Sequence, residues 1–274
     1  MAITQDDPLI DFDVREIALE GIAKRVLVAG NGPAVIVMPE MPGISPEVAR
    51  FARWVRDAGF SVYVPSLFGR DGAVPMADEG AKVFGRACIA REFHVMAKGE
   101  ASPVASWLRA LARLAHEERG GPGVGAVGMC LTGNFALSML LEPAVLAPVL
   151  CQPSLPLDKP EEVESSAEEL ATIRARLDSE DLTVKAYRFE GDQVCKAARF
   201  AAYQSALGDR FEAQTLPDSA ANGDPAPFFR AHVPYPHSVF TQHLIDEAGQ
   251  PTLAARDEVI AFLNLRLKCM SKGE

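Results

Sequence analysis

The sequence predicts an α/β protein in which a mostly parallel central sheet carries helices on both faces, and three observations support this. Continuous apolar runs such as residues 33–38 are what a strand buried on both faces requires. These runs alternate with helix-length segments, two of which open on Ser-Pro pairs, Ser45-Pro46 and Ser102-Pro103. There the serine caps the helix and the proline suits its first turn. Short connections between such units select parallel strands joined by right-handed crossovers.

Taken in order, residues 14–28 read as two short strands turning near Glu20-Gly21, an antiparallel edge on a larger sheet. Residues 33–38 form the first buried strand. The helix opened by Ser45-Pro46 ends at Ala58-Gly59, and residues 61–64 are the next buried strand. A helix from Ser102-Pro103 runs to about Glu118, and residues 124–127 make a further strand. Residues 146–150, 183–189 and 211–216 read as later strands, with helices over 167–177, 196–207 and about 253–267. The least regular stretches, 68–98 and 217–236, are assigned to loops and short elements. They are expected to border a site at the carboxyl ends of the strands, where such sheets bind ligands.

The chain has 274 residues, 48% of them hydrophobic and 23% charged, within the ordinary globular range. One domain over residues 1–274 is expected. A formal net charge of -10 argues against nucleic acid or an anionic membrane surface as partner, since either would repel it. The start of the chain has neither a basic segment nor a long apolar one, so a cytoplasmic location is expected. The 5 cysteines are Cys88, Cys130, Cys151, Cys195 and Cys269; their odd number and wide spacing suggest neither a disulfide framework nor a metal site. No cofactor or metal is expected.

The most informative stretch is Val124-Gly125-Ala126-Val127-Gly128-Met129-Cys130-Leu131-Thr132-Gly133, followed by the apolar run of residues 135–141. It has the layout of a nucleophile elbow, in which the reactive atom stands on a sharp strand-to-helix turn and its neighbours must be small. Backbone N–H groups behind the turn are placed to hold an oxyanion. A cysteine ending an apolar strand is also often a plain core residue, so partners must decide the matter. An acid and a histidine are expected later in the chain. Asp192 follows the strand at 183–189 in the turn Glu190-Gly191-Asp192, and His237 precedes the last helical region. Position and order favour His237 over His94, His116, His232 and His243, with His232 its closest competitor.

From residue 34 to residue 267 the chain resembles the dienelactone hydrolases, cysteine-dependent members of the α/β-hydrolase superfamily. The resemblance rests on Val35-Ile36-Val37-Met38-Pro39-Glu40-Met41-Pro42-Gly43, on residues 56–70 with their Pro65-Ser66-Leu67-Phe68-Gly69-Arg70 ending, and on Gly128-Met129-Cys130-Leu131-Thr132-Gly133. It implies an α/β-hydrolase fold and hydrolysis of a small-molecule ester or lactone through a cysteine acyl-thioester. Cys130 would be the nucleophile, His237 the base and acid, Asp192 the orienting carboxylate, and the N–H groups of Leu131 and Met41 the oxyanion hole. Glu40 would lie near the resting cysteine and help activate it, while Arg86 and Arg91 are candidates for a substrate carboxylate. Three departures stand out. Thr132 replaces a usual glycine and is expected to crowd the elbow, the chain between Asp192 and His237 is long, with its surplus expected in residues 217–230, and the family's substrate arginines have no firm match. The alternatives are a thiol-based redox-responsive protein and a non-catalytic binding member of the fold.

Overall fold

Alternation of apolar side chains to both faces of each strand sets the frame. In Ala34–Met38, Ile36 and Met38 join one buried cluster while Val35 and Val37 join the other, so the strand must be covered on both sides. The computed structural model describes residues 3–89, 102–159 and 161–268. Its strands are β1 (Asp13–Leu19), β2 (Ile22–Ala29), β3 (Ala34–Met38), β4 (Ser61–Pro65), β5 (Val124–Met129), β6 (Val145–Cys151), β7 (Val184–Phe189) and β8 (Phe211–Leu216). They form one sheet in the order β1-β2-β4-β3-β5-β6-β7-β8. β1 pairs antiparallel with β2, and β2 with β4, giving the expected antiparallel edge; all other pairs are parallel.

The helices are α1 (Pro46–Asp57), α2 (Ala77–Ile89), α3 (Pro103–Arg119), α4 (Gly133–Ser138), α5 (Ala167–Ser179), α6 (Ala197–Leu207), α7 (Pro227–His232) and α8 (Pro251–Leu267). Ser45 and Ser102 cap α1 and α3, accepting from Val48 N at 3.3 Å and Ala105 N at 3.1 Å. Phe51 and Val55 of α1 and Val259 and Leu263 of α8 cover one face of the sheet. Trp107 and Leu111 of α3, Ile173 of α5 and Tyr203 of α6 cover the other. Each fully buried aliphatic side chain contributes about 1.5–3 kcal/mol. Among the described residues no helix is long and apolar enough to cross a membrane.

The irregular stretch 68–98 departs from expectation, because it contains the 13-residue helix α2. Gly80 and Gly85 weaken the helical signal in the sequence. Packing compensates at Gly80, where a Cβ would come within 2.3 Å of the Phe228 ring of α7. Phe228 N also donates to Pro75 O at 2.9 Å, and Val74, Ala226, Phe228 and Phe229 form a small separate apolar cluster. The described parts of the two irregular stretches thus pack on each other through α2 and α7.

Candidate active site

The site is built where β3, β5, β6 and β7 end. Gly128 must be glycine because a Cβ there would lie 2.1 Å from Thr132 O, and one at Gly133 would lie 2.8 Å from Pro153 Cα. That close approach turns the chain sharply and puts Cys130 at φ +57°, in the left-handed region that a non-glycine residue occupies only under constraint. Ser154 N holds the Cys130 carbonyl at 3.1 Å, and Asn134 binds both the N–H and the carbonyl of Leu155. Cys130 is half-buried.

Thr132 does not crowd the turn. Its hydroxyl oxygen accepts from Met129 N at 2.8 Å and lies 2.9–3.2 Å from the carbonyls of Met129, Met38 and Pro39. It therefore ties the end of β5 to the end of β3, strands in register at Met38 and Gly128. Leu131 and Met41 follow these neighbouring strand ends, both buried.

Asp192 sits in the turn after β7, buried, and its Oδ1 accepts from Val194 N at 2.8 Å and Cys195 N at 2.9 Å. Its Oδ2 lies 2.7 Å from His237 Nδ1, a pair sequestered from solvent. Burial opposes the charge on either partner. The opposite charges and the bond between them prevail, holding the Asp192 carboxyl below its ordinary value and the imidazole well above its own. Cys130 also pushes the same imidazole up, which places the two side chains near each other. Asp192, His237 and Cys130 are thereby brought together in series. His232, the closest competitor in sequence, is exposed at the end of α7.

Glu40 is also buried, but its carboxylate is taken up by other groups. It accepts from Ser238 Oγ at 2.6 Å, Gln152 Nε2 at 3.4 Å and the Thr241 hydroxyl. Burial pushes it up to about 7, against the pull of those hydroxyls and of His237. Glu40 thus anchors the loop that carries His237 to the end of β3. Sequence reasoning did not single out Ser238, Gln152 and Thr241 for this. Burial also pushes the Cys151 and Cys195 thiols up, which suits core residues rather than nucleophiles.

Arg86 stands exposed in the last turn of α2 and lines a cavity of about 550 Å³. Its walls include Pro42, Phe68, Val74, Met76 and Val83, and neither Cys130, Asp192 nor His237 lines it. Arg91 lies outside the described residues. Residues 217–230 are held down: Asn222 N donates to His243 O at 2.9 Å and Ala226 N to Gln242 Oε1 at 2.9 Å. Gln242 in turn reaches Glu47 of α1 at 2.6 Å. Among the described residues no group of His, Cys, Asp and Glu is placed to hold a metal.

The model of the dienelactone hydrolase family matches residues 21–200. Among solved structures, the chain is similar to the dienelactone hydrolase-like promiscuous phosphotriesterase P91 from metagenomic libraries. That match has a TM-score of 0.59 and 17% identity over 93% of this chain and 99% of the other. A cold-adapted esterase from an Arctic intertidal metagenomic library matches with a TM-score of 0.57 and 13% identity, over 96% of this chain and 98% of the other. At such identities the likeness is one of fold, the α/β-hydrolase fold. Among curated proteins none matches the chain.

Proposed function

The chain belongs to the dienelactone hydrolase family, and on that premise we propose that it hydrolyses a carboxylic ester or lactone through an acyl-thioester on Cys130. The observation that carries the reading is the series Asp192–His237–Cys130, with the 2.7 Å Asp192–His237 pair sealed from solvent. His237, kept in one tautomer by Asp192, takes the thiol proton as sulfur attacks the carbonyl carbon. The N–H groups of Leu131 and Met41 receive the negative charge that develops on the carbonyl oxygen. The carbon–oxygen bond to the leaving group then breaks, and His237 returns its proton to the departing alkoxide. Water, deprotonated by His237, attacks the thioester carbon; the acid leaves and the thiol is restored.

Glu40 in this reading holds the His237 loop from behind and acts on the site by charge, through the His237 ring. Arg86 is proposed for a carboxylate on the substrate, at the rim of the cavity beyond Pro42.

Cys130→Ala is expected to remain folded and to lose at least about 10⁴-fold in turnover of a p-nitrophenyl ester or a dienelactone. Iodoacetamide should silence the parent enzyme, with a substrate-competitive ester protecting it. A folded Cys130→Ala protein working at the parent rate would exclude the mechanism. His237→Ala and Asp192→Asn separate it from a thiol redox role, which needs neither partner. Both variants should lose hydrolysis if the reading is right.

A further inference from the structure

His243 is absent from the mechanism above, yet it is buried and bound directly to the backbone of the histidine loop. Its Nδ1 accepts the backbone N–H of His237 at 3.3 Å and that of Ser238 at 3.1 Å. Its own N–H returns to Ser238 O at 3.0 Å, so one residue clamps Ser238 from both sides and closes the 237–243 turn. Two successive N–H groups converging on one acceptor form a concave backbone nest, and here the acceptor is the His243 ring nitrogen. The ring meets Phe189 of β7 and Phe229 of α7 edge-on, with centroids 6.2 Å away in each case. Its carbonyl accepts from Asn222 N at 2.9 Å. The residue therefore connects the strand that leads to Asp192, the segment around residue 222 and the backbone of His237.

We propose that His243 is a positioning residue for the general base: its ring nitrogen fixes the backbone turn at residues 237–238 and thereby the point at which the His237 ring meets Cys130. The inference rests on the reading of His237 as that base. Burial, with the His237 charge beside it, pushes the imidazole down to about 3, which keeps Nδ1 free to accept through the neutral range. Loss of the acceptor opens the nest and lets the His237 ring move. A displacement of 1 Å is enough to cost about 100-fold in rate.

The test compares His243→Asn, whose amide oxygen takes the place of Nδ1, with His243→Leu and His243→Ile, which fill the space without an acceptor. Steady-state hydrolysis of p-nitrophenyl acetate and thermal melts are measured on each, with His237→Ala as control. The acceptorless variants should lose about 100-fold in kcat with KM within about threefold of the parent, and Asn should restore kcat to within about tenfold. Should only the Asn variant fold, and remain active, the need for the acceptor is supported as well. A packing role reverses the order, because Leu and Ile preserve apolar volume better than Asn. Leu or Ile matching or exceeding Asn in kcat would therefore overturn the inference. His237→Ala at the parent rate would instead sink the hydrolase reading beneath it.

Discussion

At the scale of the residue, the site depends on polar side chains buried with their partners. Thr132 shows why a position that looks crowded in sequence can be stabilising: its hydroxyl answers the Met129 N–H and meets the carbonyls of Met38 and Pro39, tying together the ends of two paired strands. Glu40 is the complementary case, a carboxyl that among the described residues has three donors and no cation in direct contact. Burial raises it from 4.5 to about 7, so the folded protein holds this proton more tightly than the unfolded chain does. The sign follows from linkage: the contribution to stability is fully present below the unfolded value of 4.5 and is lost as pH rises through about 7. Glu40→Gln has no such proton to lose. Its stability relative to the parent should therefore rise by about 3 kcal/mol between about pH 4.5 and pH 8. Chemical denaturation of both proteins at the two pH values measures this, and a difference independent of pH would show that Glu40 titrates as an ordinary carboxyl.

At the scale of the element, the regular parts were legible and the irregular ones were not, for physical reasons. A run such as Ala34–Met38 leaves no face for water, so only a strand buried on both sides accommodates it. The caps Ser45 and Ser102 act within three residues, well inside the reach of sequence reading. α2 was hidden because Gly80 and Gly85 lower its intrinsic propensity, and what rescues it, Phe228, lies far away in the chain. That dependence makes Gly80 a test of the α2–α7 contact. Gly80→Val places branched carbon where the Phe228 ring lies and should destabilise by about 1–3 kcal/mol through overpacking. Limited proteolysis should then cut between residues 217 and 230 faster than in the parent. Unchanged cleavage and an unchanged melting temperature would mean that the two helices do not support each other.

At the scale of the whole molecule, the meeting of Cys130, Asp192 and His237 was legible from chain order, because Cys130 directly follows β5, Asp192 follows β7 and His237 comes after β8 and α7. The support behind them was not, since it joins remote segments: Thr241 and Ser238 reach Glu40 across separations of 201 and 198 residues, and Gln152 across 112. No local pattern encodes such pairs; they exist only once the sheet has brought the ends of β3 and β6 beside the last loop. Phe240 is where that loop is fastened to the core. It is buried, stacks on Phe51 of α1 at 5.7 Å and meets Tyr187 of β7 edge-on at 5.0 Å, three positions after His237. Removing the ring leaves a cavity between a helix and the sheet, so Phe240→Ala should cost about 3–5 kcal/mol. For a chain of this size that is a fall of roughly 10 °C in Tm. Because the loop carries His237, the variant assayed at a temperature where it is fully folded should also lose kcat while KM changes little. A fall in Tm with kcat intact would mean that Ser238, Thr241 and His243 hold His237 in place without the aromatic anchor.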